Sequence, residues 1–153
     1  DLQQAQKELL KSVSFHTFYM AIKDATTNEN AKNAAFVHVY DIAEYAEMRC
    51  YLSPNRDYGY AIKDGDIVSV FKNPNSSVKS VMDAIMKSAL DNGGYKLDCF
   101  DGYLPKQYKK YGFVEYDRMS WNDEYAPTNW HYERDGRPDV VFMALTSANE
   151  ATA

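Results

Sequence analysis

The chain has 153 residues, of which 45% are hydrophobic and 14% aromatic, a composition that builds a packed core and excludes a disordered segment. Its formal net charge of -5 argues against a general nucleic-acid binder, which needs a basic face. No apolar run is long enough to span a membrane and no signal peptide is visible, so a cytoplasmic location is expected. The length suits a single domain covering 1–153. The chain begins at Asp1 without a methionine, as a processed chain or a domain cut from a longer protein would.

Leu2 to about Asp24 reads as a helix. Leu2, Leu9, Val13 and Met20 form one stripe, and Phe15, Phe18 and Ile22 a second. The part from Val13 to Ile22 is also compatible with a strand. Ala25–Asn33 is polar and Asn-rich, a loop. Ala35–Tyr40 alternates as a first strand, at the start of a core running from 34 to 145. Ile42–Leu52 reads as a helix, with Ile42, Tyr45, Ala46, Met48 and Leu52 roughly at helical spacing, stopped by Ser53-Pro54-Asn55. Tyr58–Ile62 and Ile67–Phe71 are strands. Lys63-Asp64-Gly65-Asp66 joins them, and Asp-Gly between apolar runs is a hairpin signal.

Asn73–Ser77 is a turn with several candidate helix caps. Val78, Val81, Met82, Ile85 and Ala89 then make an amphipathic helix, which Gly93-Gly94 ends. Leu97–Phe100 is a short strand, and Asp101-Gly102 breaks it. Leu104–Tyr111 is a helix with Pro105 in its first turn and Leu104, Tyr108 and Tyr111 on one face. Gly112 sits where a left-handed cap is needed. Phe113–Trp121 is a long strand. Asn122–Asp139 is a polar, aromatic connection, Val140–Leu145 a buried last strand, and Thr146–Ala153 a fraying tail. Cys50, placed on a helix, and Cys99, placed on a strand, read as reduced core thiols, with a disulfide the less favoured alternative.

The run Leu97–Phe113, LDCFDGYLPKQYKKYGF, carries a resemblance. Its Tyr108-Lys109-Lys110-Tyr111-Gly112-Phe113 resembles the Y-x-x-x-G-F signature of the GNAT superfamily of acyl-CoA N-acyltransferases. The order before it is similar too: strand Ile67–Phe71, loop, amphipathic helix, strand, helix. The resemblance covers 34–145. It implies an α/β fold with a mixed, twisted sheet of about six strands flanked by helices, plus an extra amino-terminal helix. It also implies acyltransfer, most simply acetyl transfer, from acetyl-CoA or another acyl-CoA to an amine, with no metal. The acceptor would be a small-molecule or protein amine.

The resemblance implies site residues. Phe71, Lys72, Asn73, Ser76, Ser77, Val78 and Lys79 lie where the family holds the pyrophosphate, with backbone N–H groups at a helix start facing phosphate oxygens. The family pattern there is Gln or Arg, two residues, Gly, one residue, then Gly or Ala. Asn73, Ser76 and Val78 occupy those positions and depart from all three. The competing structural role is an ordinary capped helix. Tyr108 stands where many members place the tyrosine that protonates the leaving thiolate; its competing role is a core aromatic. The family often draws its base from a Glu on the strand before the loop, and Asp66–Phe71 has none. His131 is the remaining candidate, since histidine titrates near neutral pH; a loop histidine is otherwise simply solvated. Trp130 and Asp101 are candidates for the acceptor side. The connection Trp121–Pro138 reads as an aromatic lid or as a packed Ω-like cover.

Metal chemistry lacks a motif: there is no H-x-x-x-H and no Cys pair, and His16, His38 and His131 are dispersed. Asp57, Asp64 and Asp66 read as turn residues. The stretches DGDIVSVF, EYAPTNW and DGRPDVVFM, with the 97–113 run, are further similar to GNAT-like domains of bacteriophage and mobile-element polyproteins. That resemblance implies the rival function, a GNAT-shaped module that binds a protein partner without acyl-CoA chemistry.

Overall fold

The computed structural model describes residues 10–28, 37–127 and 130–145. It divides into two compact units, Asp1–Gly94 and Tyr95–Ala153. Both are α/β with antiparallel strand pairing. Among the described residues the strands number seven against the expected six or so.

In the first unit, strands β1 (Lys11–Val13), β2 (Arg49–Leu52), β3 (Tyr58–Lys63) and β4 (Asp66–Lys72) lie side by side in chain order. Helices α1 (Phe15–Thr27), α2 (Ile42–Tyr45) and α3 (Val81–Asp91) accompany them. The core joins Phe18, Ile22 and Ala25 of α1 to Tyr45, Met48, Cys50, Leu52, Ala61 and Phe71. The Phe18 ring meets those of Tyr45 and Phe71 edge-on, at 5.1 and 5.6 Å. Such pairs contribute beyond the area they bury. Of the two expected stripes, the one with Phe18 and Ile22 is the buried one; Met20 is exposed.

Several expected elements are corrected. The helix expected from Leu2 to Asp24 begins at Phe15, and its part before residue 10 lies outside the described residues. Lys11–Val13 is instead a strand paired with β2. Ser14 separates the two elements, because its hydroxyl accepts the Thr17 N–H at 3.2 Å as an N-cap. The strand expected over Ala35–Tyr40 is not formed over 37–40; Ala35 and Phe36 lie outside the described residues. Side chains tie this segment down in place of a ladder. Tyr40 N–H donates to the Tyr45 hydroxyl at 3.1 Å, and the Ser69 hydroxyl donates to His38 C=O at 2.8 Å.

The helix expected over Ile42–Leu52 stops at Tyr45, and its second half is β2, so Cys50 sits on a strand. Cys50, Tyr51 and Leu52 are all buried, with β1 on one side and β3 on the other. A strand buried on both faces loses its alternation and mimics a helical stripe.

The β3–β4 hairpin forms as the Asp-Gly pair predicts: Asp64 and Gly65 both have positive φ, 52° and 83°. Within β4 the register slips by one residue opposite Tyr60, and Ser69 takes φ 54°. This is a β-bulge, which re-aims the strand's backbone locally. The Tyr45 hydroxyl, fully buried, sits 2.7 Å from the Ser69 hydroxyl.

In the second unit β7 (Val140–Leu145) lies between β5 (Lys96–Phe100) and β6 (Phe113–Met119). Helix α4 (Tyr103–Lys109) packs on β5 and β6, and Gly112 adopts the expected positive φ, 96°. The expected strand Phe113–Trp121 ends at Met119, so Trp121 belongs to the following loop. That loop holds a 3-10 turn, Asp123–Tyr125, and a short helix α5 (Tyr132–Asp135).

Gly59 on β3 faces the β2 backbone: a Cβ there would lie 2.3 Å from Tyr51 O and 2.8 Å from Leu52 Cδ2. Backbone cannot give way as a flexible side-chain tip can. Gly59→Ala is therefore expected to destabilise the chain by about 1–3 kcal/mol. Urea unfolding followed by circular dichroism measures this, and an unchanged midpoint would contradict the close approach.

Candidate functional site

The expected pyrophosphate site is the segment between β4 and α3. Phe71, the penultimate residue of β4, is 3% exposed and packs into the core against Phe18. Lys72 ends the strand and, like Ser77 and Lys79, is exposed. Helix α3 starts at Val81, so Val78 and Lys79 precede it, which corrects the expected start at Val78. Ser80 supplies the reason: it takes a left-handed conformation, φ 60°, immediately before the helix. Asp83 adds a negative charge to the first turn of α3.

Asn73 and Ser76 organise the loop. Asn73 N–H donates to Asp57 C=O at 2.6 Å, and Ser76 N–H donates to Asn73 C=O at 3.0 Å. The Asn73 side-chain oxygen accepts the Asn75 N–H at 2.9 Å, and the Ser76 hydroxyl accepts the Val78 N–H at 3.2 Å. The loop is therefore a chain of Asx- and Ser-type turns, in place of the glycine-permitted cradle of the family pattern. Two carboxylates hold it from outside. Asp24 of α1 accepts the Asn73 side-chain N–H at 2.8 Å, and Asp57 accepts the Ser76 hydroxyl at 2.5 Å. Asp57 is itself fixed by the Ser53 hydroxyl at 2.7 Å. Asn73 also borders an open cleft of about 300 Å³ beside Asp24, Arg56 and Asp57.

The sequence reading missed this part. Asp24 and Asp57 reach the loop across 49 and 19 residues of chain. The residue types offer only a faint signal, a carboxylate in each of two turns or helix ends. Asp57 read as a turn residue, which it also is.

In the second unit, Tyr108 sits on α4 and is 6% exposed, with its ring edge-on to Phe113 at 6.3 Å. Burial holds its phenol well above the ordinary value, and Cys99 and Asp98 push in the same direction. The hydroxyl thus stays protonated at neutral pH, the form a proton donor needs, and it gives up its proton reluctantly. Cys99 is buried and its thiol is pushed up to about 12, mainly by desolvation. Cys50, in the first unit, is buried and pushed up to about 11 for the same reason. Both are protonated, unreactive thiols at neutral pH.

His131 and Trp130 belong to the 120–139 connection. His131 caps α5, its Nδ1 accepting the Arg134 N–H at 3.2 Å, which leaves Nε2 as its other ring nitrogen. Trp130 is 8% exposed. It lies 4.9 Å from both Phe100 and Trp121, and its indole N–H donates to Gly136 C=O at 2.8 Å. Asp123 gathers the outer side, accepting from the Trp121 indole at 2.7 Å, from Arg137 at 3.0 Å and from the Tyr132 hydroxyl at 3.3 Å. Arg137 also covers the Tyr132 ring at 4.9 Å. The connection is thus packed on itself, in the manner of an Ω loop. Asp101 binds Arg118 at 2.9 Å, and Arg118 also holds Asp139 and Glu115.

Among the described residues no group of His, Cys, Asp and Glu is arranged to hold a metal, and no helix is long and apolar enough to cross a membrane. No family model matches the chain, and no curated protein matches it in sequence. Solved structures share its fold. The apo form of YjaB from Escherichia coli has a TM-score of 0.56 at 12% identity, over 90% of this chain and 96% of its own. A ribosomal-protein-alanine N-acetyltransferase from Brucella melitensis scores 0.53 at 10% identity, over 88% and 97%. An IAA acetyltransferase from Bacillus cereus scores 0.52 at 9% identity, over 90% and 97%. Likeness at such identities establishes the fold, the α/β GNAT fold implied by the 97–113 run.

The Trp121 indole, then Arg137, hold the Asp123 carboxyl below its ordinary value of 3.8. A carboxyl lowered on folding contributes stability that is present above its unfolded value and is lost as pH falls through the folded one. Trp121 and Trp130, the chain's 2 tryptophans, both report on this loop. Their fluorescence is expected to hold from pH 7 to about 4 and to change only below that. Asp123→Asn is expected to shift the emission already at neutral pH. A variant with the wild-type spectrum and pH profile would contradict the role of Asp123.

Proposed function

We propose that this chain is an acyl-CoA-dependent N-acyltransferase, with acetyl-CoA as donor and an amine as acceptor. The observation that carries the reading is the fold shared with acetyltransferases; the sequence resemblance puts the pyrophosphate on the strand–loop–helix from β4 to α3. Tyr108 at its motif position adds to it. In this reading the residues 71–79 bind the pyrophosphate of acyl-CoA, with Ser76 and Ser77 offering hydroxyls and Lys72 and Lys79 charge.

The acceptor nitrogen attacks the thioester carbonyl, and backbone N–H groups stabilise the oxyanion. The C–S bond then breaks. Tyr108, which burial keeps protonated, gives its proton to the departing thiolate. His131 Nε2 takes the proton lost by the amine. Trp130 and Asp101 act on the acceptor side, Trp130 by fixing the 120–139 loop and Asp101 by its charge.

The second reading, a GNAT-shaped module of a phage or mobile-element polyprotein that binds a protein partner, is favoured by one observation. The donors of Asn73 and Ser76 are already taken up within the protein. Tyr103, Tyr116 and Tyr125, which are 72%, 54% and 77% exposed, are the contact residues in that case.

Titration calorimetry with acetyl-CoA and with CoA, beside melting curves with each, separates the two. The first reading expects saturable binding and a raised melting temperature. Absence of binding at millimolar ligand would overturn it in favour of the second. In an active preparation, Tyr108→Phe is expected to lower kcat by about 10²-fold or more with little change in melting temperature. Unaltered kcat would remove Tyr108 from the mechanism.

A further inference from the structure

We infer that the loop 73–78 is held in a self-occupied state by Asp57 and Asp24, whose oxygens take up the donors that an incoming phosphate would need. The inference rests on the acyl-CoA reading and adds a regulatory contact to it. Its basis is a set of short contacts that converge on two loop residues. Asn73 gives its backbone N–H to the Asp57 carbonyl at 2.6 Å and its side-chain N–H to the Asp24 carboxylate at 2.8 Å. Ser76 gives its hydroxyl proton to the Asp57 carboxylate at 2.5 Å. Neutral donors bound to carboxylates make stronger hydrogen bonds than donors bound to neutral oxygens.

Both carboxylates belong to elements outside the loop. Asp24 lies on α1, and Asp57 lies in the β2–β3 turn, where the Ser53 hydroxyl and backbone hold it. The acids are thus anchored, and the loop is what can move. A pyrophosphate placed on this loop meets two obstacles. It must displace oxygens already bonded to its donors, and it brings negative charge beside two carboxylates. Binding therefore selects a minor state in which Ser76 and Asn73 have left their aspartates, and the apparent affinity is lowered by the population of that state. Lys72 and Lys79, both exposed, supply the opposing attraction.

The arrangement also accounts for a chain that has Asn73 for the Gln or Arg of the family pattern and Ser76 and Val78 for its small residues. A glycine offers no hydroxyl or amide for an internal carboxylate to grip. The Val78 N–H is drawn inward to the Ser76 hydroxyl by the same latch.

The test uses the whole chain, with CoA, acetyl-CoA and inorganic pyrophosphate as probes in calorimetry. Asp57→Asn keeps the shape, removes the charge and weakens the hydrogen bond from the Ser76 hydroxyl to that of a neutral acceptor. It is expected to bind all three probes roughly tenfold or more tightly than the wild type while melting at a lower temperature. Tighter binding with lower stability is the signature of a latch, because a merely structural role would weaken both. Asp24→Asn, which weakens one contact, is expected to show a smaller gain and serves if Asp57→Asn does not fold. Binding by the wild type with no gain in either folded variant would overturn the latch and leave the acyl-CoA reading standing. Absence of binding by wild type and variants alike would overturn both.

Discussion

The first unit depends on one buried contact, the Tyr45 hydroxyl against the Ser69 hydroxyl at 2.7 Å. Tyr45 comes from a four-residue helix that could not stand on its own. Its ring fills the core beside Phe18 and its hydroxyl must find a partner there, since an unsatisfied buried hydroxyl costs about 1–3 kcal/mol. Ser69 provides the partner only because β4 bulges at that residue. Ser69 in turn donates to His38, and Tyr40 donates to Tyr45, so the contact also secures a segment that has no ladder of its own. Strand, short helix and the 37–40 segment are thereby fixed in one place.

The same economy of polar contacts governs the loop after β4. Its turns are satisfied internally, and its two exits are held by carboxylates from α1 and the β2–β3 turn. A phosphate-binding loop built on glycine is open because nothing else uses its donors. This loop is built on Asn and Ser, whose side chains both cap the backbone and reach outward. The residue types that make the loop self-sufficient are the ones that make it a poorer anion site. In the second unit Asp123 has the corresponding organising role, where one carboxylate gathers an indole, a guanidinium and a phenol.

Much of the architecture was legible because its signals are local. The Asp64-Gly65 turn, the Gly112 cap, the α3 stripe and the apolar run of β7 all follow from steric and periodic rules that act within a few residues. The failures share a cause as well. Arg49–Leu52 looked helical because burial on both faces erases alternation, and only pairing with β1 and β3 makes it a strand. Residues 37–40 alternate like a strand, yet no strand forms there, and side chains from Tyr45 and Ser69 hold the segment. The packing of Trp130 against Phe100 and Trp121 likewise had no local signal.

The sequence by itself determined the order of strands and helices from β3 to β6 and the last strand β7, the hairpin, and the Y-x-x-x-G-F run that pointed to the GNAT fold. These depend on backbone sterics and on the period of apolar residues, which neighbours along the chain decide. Only the tertiary structure decided that Ser69 sits on a bulge, that the Tyr108 phenol is buried and holds its proton tightly, and that Asp24 and Asp57 grip the loop between β4 and α3. Each of these depends on desolvation or on a hydrogen bond between residues far apart in the chain, and no local pattern encodes such a meeting.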